Sequence, residues 1–213
     1  MKLKKIGYYD YTVILTYLGM LLACCGIFQV MDQQYWTALF CLMAAGVCDM
    51  FDGTVAKTKQ RDADEKRFGI QIDSLSDLIS FGVFPAVFVY QISGRRTIAG
   101  LMAALYILAG LIRLAYFNVL EERRQREQPE QKSCFLGVPI TTIAILLPVV
   151  YLLYDYHVFR NTAFFTLILF LTGVGFLTPV EIKKPDIFGK IALIIVGVIE
   201  AVFMLLFMGW DAV

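Results

Sequence analysis

The sequence predicts an all-α integral membrane protein, a bundle of about six to eight transmembrane helices with its N-terminus in the cytoplasm. Three observations carry this reading. Apolar residues make up 59% of the chain and charged residues only 17%, too little polarity for an ordinary soluble domain. The apolar residues gather in long runs, and about twenty helical residues rising 1.5 Å each cross a hydrocarbon core of about 30 Å. Lysine and arginine fall on alternate connections between those runs.

The chain opens with the basic segment Met1–Lys5, and a first apolar run extends from Tyr11 to Met31. No small-x-small cleavage signal follows it, so it reads as a retained anchor. Further spans are predicted over 35–57, 70–92, 97–120, 137–154, 162–178 and 190–210, seven in all. They form one domain covering 1–213, with no internal repeat or low-complexity tract. Trp36 and Trp210 fall near span ends, where an amphipathic ring suits the lipid–water interface. The mixed-charge runs Thr58–Arg67 and Glu121–Lys132 read as solvated loops, the second also offering cations to anionic headgroups.

With an odd span count and a cytoplasmic N-terminus, fifteen of the 19 lysines and arginines lie inside. Only Arg95, Arg96 and Arg160 lie outside, and Arg113 falls within a span. That asymmetry sets the orientation. A net charge of +1 provides no overall attraction to nucleic acid. The five cysteines show no CxxC spacing and read as inert buried thiols. One histidine, His157, argues against histidine acid–base chemistry and against a zinc site.

The chemistry concentrates between Asp49 and Asp77. Asp49 and Asp52 are three residues apart, and Asp73 and Asp77 four apart, so each pair shares one face of a helix. Carboxylates bordering apolar spans are expensive unless they serve a site. Hard cations such as Mg²⁺ or Mn²⁺ take oxygen ligands, and clustered carboxylates suit them. Gly53 removes a side chain beside Asp52, where a ligand or a neighbouring backbone can approach. Under the topology above, both pairs meet at one cytoplasmic-side level. Solvated helix ends are the bland alternative, and it fits two facing pairs poorly.

The pattern Asp49-x-x-Asp52-Gly53-x-x-Ala56, followed by Gly69-x-x-x-Asp73-x-x-x-Asp77, resembles the signature of the CDP-alcohol phosphotransferases. The family continues after the alanine with an arginine, usually eight residues before the second glycine. Here Lys57 stands in that place, and eleven residues separate it from Gly69. Lysine keeps the charge and loses the bidentate fork for phosphate. The stretch from Asp73 through Ser80 to Ala86, with the blocks Arg113–Asn118 and Phe135–Pro139, resembles the serine-using branch, the CDP-diacylglycerol–serine O-phosphatidyltransferases. The resemblance covers roughly residues 35–140.

The resemblance implies transfer of a phosphatidyl group from CDP-diacylglycerol to the hydroxyl of L-serine, giving phosphatidylserine and CMP. It implies that Asp49, Asp52 and Asp73 hold Mg²⁺ or Mn²⁺ on the diphosphate, and that Asp77 is the general base. Gly53, Ala56, Lys57, Gly69, Ser80, Arg113 and Asn118 become substrate-binding positions. Arg113 is an anion contact, weighed against a snorkelling or structural cation. Asn118 either serves the acceptor or caps its helix. Glu200 reads as a protonated or interface-paired group without a catalytic role. The resemblance further implies a homodimer, as is common in the family; the apolar runs and the lysine and arginine bias predict a multi-pass cell-membrane enzyme with its site at the cytoplasmic face.

Other readings are a family member with a glycerol-phosphate or inositol acceptor, an intramembrane prenyltransferase, and an ion-coupled transporter. A prenyltransferase typically carries its two Asp motifs far apart in the chain, and a transporter scatters charges over repeated broken helices. Released CMP marks the first, inorganic diphosphate the prenyltransferase, and no released headgroup the transporter.

Overall fold

The structure is a computed structural model, and it describes residues 6–127, 134–183 and 187–208. Trp210, Lys2, Lys4, Lys5, Lys132 and Lys184 lie outside the described residues. The helices are α1 (Tyr11–Met31), α2 (Tyr35–Ala56), α3 (Ala63–Asp77), α4 (Phe84–Ile92), α5 (Thr97–Glu127), α6 (Ile143–Asp155), α7 (Ala163–Leu177) and α8 (Ile187–Met208). A π-helical segment, Leu78–Val83, joins α3 to α4 into one continuous rod, and a 3₁₀ turn, Ile140–Thr142, leads into α6. Seven apolar segments result among the described residues, as the sequence predicts. Four, 11–31, 35–56, 63–92 and 97–123, are long and apolar enough to cross a membrane.

The surface bears out a lipid surrounding. On α5, Leu101, Leu105, Leu108, Ile112, Tyr116 and Val119 all face outward, a stripe that an aqueous surface would not tolerate. The interior of the α1–α2 contact is built from small residues instead. Gly19, Ala23, Gly26 and Val30 line the buried face of α1, the device by which helices approach closely where lipid provides no hydrophobic drive. A Cβ at Gly26 would lie 2.3 Å from the Phe84 ring, so any larger residue there would have to displace that buried ring. Around the other end, Trp36 stacks edge-on against Tyr151 at 5.1 Å, closing the α2–α6 contact.

Four features depart from the sequence expectation. Residues 58–67 are only in part a loop: α3 starts at Ala63, because Asp62 caps it and Glu65 bonds back in a capping box. Gly69 therefore lies inside α3. The fourth span runs on to Glu127 through the charged run, whose Glu, Arg and Gln residues are good helix formers. Asn118 is thus an interior residue of α5 and caps nothing. Among the four cysteines whose side chains are described, only Cys48 is buried, and Cys25 is exposed on the apolar outer surface.

A two-stranded antiparallel ladder, which the sequence does not predict, pairs β1 (Cys134–Leu136) with β2 (Glu181–Lys183). It is closed by Gly137, whose N–H donates to the Val180 carbonyl at 2.9 Å. Gly137 has φ +76°, and a Cβ there would meet the Phe176 carbonyl oxygen at 2.7 Å. Only glycine combines that conformation with that approach.

Candidate active site

The last two turns of α2 carry Asp49, Asp52, Gly53 and Ala56, and α3 carries Gly69, Asp73 and Asp77. The fold brings the two groups together. One carboxylate oxygen from each of Asp49, Asp52 and Asp73 falls within 4.8 Å of the others. Asp73 lies against Asp52, and Asp77 against Asp49. Carboxylates this close repel unless a cation or a proton sits between them. Three hard oxygens converging from two helices therefore fit a divalent cation. Asp77 stands outside the three-oxygen cluster, beside it.

Contacts from α1 and α5 hold the two helices of the centre. Asp52 is buried and accepts a hydrogen bond from the Thr16 hydroxyl of α1 at 3.1 Å. The Ser74 hydroxyl of α3 donates to Asn118 Oδ1 of α5 at 3.0 Å. A cavity of about 10 Å³, room for about one water, lies behind the carboxylates, lined by Thr16, Asp49, Asp52, Ser76, Asp77 and Ser80 among others. Ser80 belongs to the π segment that begins just after Asp77. Such segments leave the regular i→i−4 ladder, and here the buried Tyr106 hydroxyl donates to the Phe81 carbonyl at 2.7 Å. The helix change and its outside partner fix where the end of α3 points.

Arg113 is brought to the same place. It is buried on α5 and within electrostatic reach of Asp77 and Asp49. Burial rules out a snorkelling side chain. Its Nε has no hydrogen-bond partner among the described residues. Lys57, at the end of α2, is exposed, as is Gly53, where an added Cβ would touch nothing within 4 Å. No neighbouring backbone approaches Gly53, so the space there is open. Gly69 is covered by Arg61, whose Nη1 lies 2.8 Å from where a Cβ would stand. Sequence reasoning missed Arg61, although it is the nearest arginine after Lys57.

The loop between α2 and α3 is held at its start. Lys59 donates to Asp10 at 2.6 Å and to Glu65 at 3.0 Å, tying the loop to the cap of α1. Asp10 also accepts from the Thr12 backbone N–H at 2.9 Å. The hydrogen bond from Lys59, above all, pulls the Asp10 carboxyl down to about 2.

A family model described as CDP-alcohol phosphatidyltransferase matches residues 12–179. The chain belongs to that family. Its members depend in general on a divalent metal, in keeping with the three converging oxygens. With the four long apolar helices, membership makes this a multi-pass membrane protein. The chain is similar to the CDP-diacylglycerol–serine O-phosphatidyltransferase of Helicobacter pylori, 30% identical over 179 residues, covering 83% of this chain and 70% of the relative. It is similar to the Saccharomyces cerevisiae protein of the same description, 32% identical over 157 residues, with 66% and 56% covered. The archaetidylserine synthase of Methanothermobacter thermautotrophicus is 35% identical over 139 residues, with 63% and 56% covered. The chain thus spans somewhat over half the length of the yeast and archaeal relatives.

Proposed function

We propose that this protein transfers the phosphatidyl group of CDP-diacylglycerol to the hydroxyl of L-serine, releasing CMP. The observation that carries the reaction class is the convergence of Asp49, Asp52 and Asp73 within 4.8 Å, with Asp77 beside them. The serine acceptor is supported by the descriptions of the bacterial and yeast relatives.

Asp49, Asp52 and Asp73 hold the divalent cation, Mg²⁺ or Mn²⁺. When bound, the ion neutralises charge on the diphosphate and on the departing CMP. Asp77 accepts the proton of the incoming serine hydroxyl, a weak nucleophile that needs a base within hydrogen-bond reach. The hydroxyl oxygen bonds to the phosphorus that carries the diacylglycerol, and the bond from that phosphorus to the CMP oxygen breaks. CMP leaves with the electron pair, and the proton passes from Asp77 to solvent. Arg113, buried with a free Nε–H among the described residues, offers the fixed positive charge for an anionic group, the lipid phosphate or the serine carboxylate. Arg61, over Gly69, supplies the guanidinium fork that Lys57 lacks. The open space at Gly53 leaves the end of α2 accessible to the nucleotide.

Offering the purified protein CDP-diacylglycerol with serine, glycerol 3-phosphate or inositol, and measuring CMP, tests the reading. Serine is expected to drive CMP release. Release driven only by another acceptor moves the chain to a different branch, and inorganic diphosphate in place of CMP removes it from this chemistry.

The reaction takes place at the cytoplasmic face of the cell membrane. The support is the lysine and arginine bias, fifteen inside against three outside. Cysteines introduced at Asp64 and Asp155 are expected to label from opposite faces, Asp64 from the cytoplasm; the reverse pattern inverts the orientation.

A further inference from the structure

We propose that Thr16, on α1, is a positioning residue for the carboxylate centre: its hydroxyl holds Asp52 in the orientation in which that residue serves a divalent cation. The proposal rests on the metal-cradle reading above. α1 carries no carboxylate of the signature, yet it packs against both helices that do. Thr16 lies at that junction, only 8% exposed, facing Asp52 at 9%.

Two hydrogen bonds meet at this one residue. Its Oγ1 donates to Asp52 Oδ2 at 3.1 Å, and its backbone carbonyl accepts from the Ser76 hydroxyl at 3.2 Å. Ser76 lies between Asp73 and Asp77 in α3. Thr16 therefore touches α2 through its side chain and α3 through its main chain. A threonine hydroxyl in a helix ordinarily spends its one proton on a carbonyl a turn earlier. Here the proton is given across the helix contact to a buried carboxylate. The branched side chain is stiff about χ1, so the hydroxyl points in one direction. Asp52 Oδ2 is thereby held from α1, on a different helix from the Asp73 carboxylate that also lies against Asp52. Partners that orient a metal's ligands in this way typically set affinity by about 10–100-fold.

Thr16→Val keeps the shape and removes the hydroxyl. Thr16→Ser keeps the hydroxyl and removes the methyl, and Thr16→Ala removes both. Mn²⁺ is the probe, titrated into the purified full chain by calorimetry and by the spin-resonance signal of the free ion. Thr16→Val and Thr16→Ala are expected to bind Mn²⁺ about 10–100-fold more weakly than the native chain, and Thr16→Ser to restore most of the affinity. Should the valine variant not fold, the serine and alanine variants decide between them. Native-like affinity without the hydroxyl overturns the role of Thr16 while leaving the cradle standing. Equal weakening in serine and alanine assigns the effect to the methyl and overturns the hydrogen bond. A native chain that binds no Mn²⁺ removes the cradle itself, and this proposal with it.

Discussion

Asp49→Asn, Asp52→Asn and Asp73→Asn are each expected to abolish CMP release, with Mn²⁺ affinity falling at least about 100-fold, the upper range for losing even an outer partner of a metal site. Asparagine keeps the size of the side chain and one oxygen, and it removes the charge. The three oxygens lie within 4.8 Å of one another, so on the proposed reading each contributes to holding the ion. The same crowding gives the experiment an internal control. In the metal-free protein each carboxylate repels its neighbours, and neutralising one relieves that repulsion. The variants are therefore expected to melt no lower than the native protein in EDTA, which separates lost ligation from lost folding. Chelation of the native enzyme is expected to stop turnover, and Mg²⁺ or Mn²⁺ to restore it. Full turnover in EDTA, or in any of the three variants, would sink the metal cradle.

Lipid made much of the fold legible. A helix that must cross hydrocarbon advertises its length, and α1 begins and ends at the residues where the apolar run does, Tyr11 and Met31. Away from the hydrocarbon that constraint lapses, and the misreadings fall there. The first turn of α3 and the last turns of α5 are charged helix, and charge alone does not distinguish helix from loop. The Asp62–Glu65 capping box was readable as a helix start and outweighs the loop reading of 58–67. The continuation of α5 to Glu127 had no comparable punctuation, since the proline that follows is Pro129.

The site shows the same division. Asp49, Asp52, Asp73 and Asp77 could be read from spacing, because one helical face fixes which residues within a helix are neighbours. Spacing says nothing about partners on other helices. Thr16 is one threonine among apolar residues of α1, and only tertiary packing sets it on Asp52. Ser74 and Asn118 meet across 44 residues, which no local pattern foretells. The π segment was equally hidden: Leu78–Val83 looks like any apolar stretch, and the Tyr106 hydroxyl that satisfies Phe81 comes from another helix.

Asp77→Asn is expected to separate chemistry from binding. Turnover should fall by roughly 10²–10⁴-fold, the usual contribution of a positioned base, while Mn²⁺ and CDP-lipid affinity stay close to native. The physical ground is that Asp77 lies one turn beyond Asp73 and outside the three-oxygen cluster, next to Asp49. The amide of an asparagine there can donate a hydrogen bond to the neighbouring Asp49 carboxylate, so the cradle is expected to keep its shape. What it no longer does is accept the proton of the incoming hydroxyl. Asp73→Asn should behave differently, losing affinity for the ion along with rate, because its oxygen belongs to the cluster. Calorimetric titration of Mn²⁺ and CDP-lipid into both variants, run beside CMP release, distinguishes the two roles. If Asp77→Asn loses Mn²⁺ binding to the extent that Asp73→Asn does, Asp77 is a fourth ligand and the base must be sought elsewhere. If it binds both partners and turns over at the native rate, the serine hydroxyl needs no side-chain base at this position.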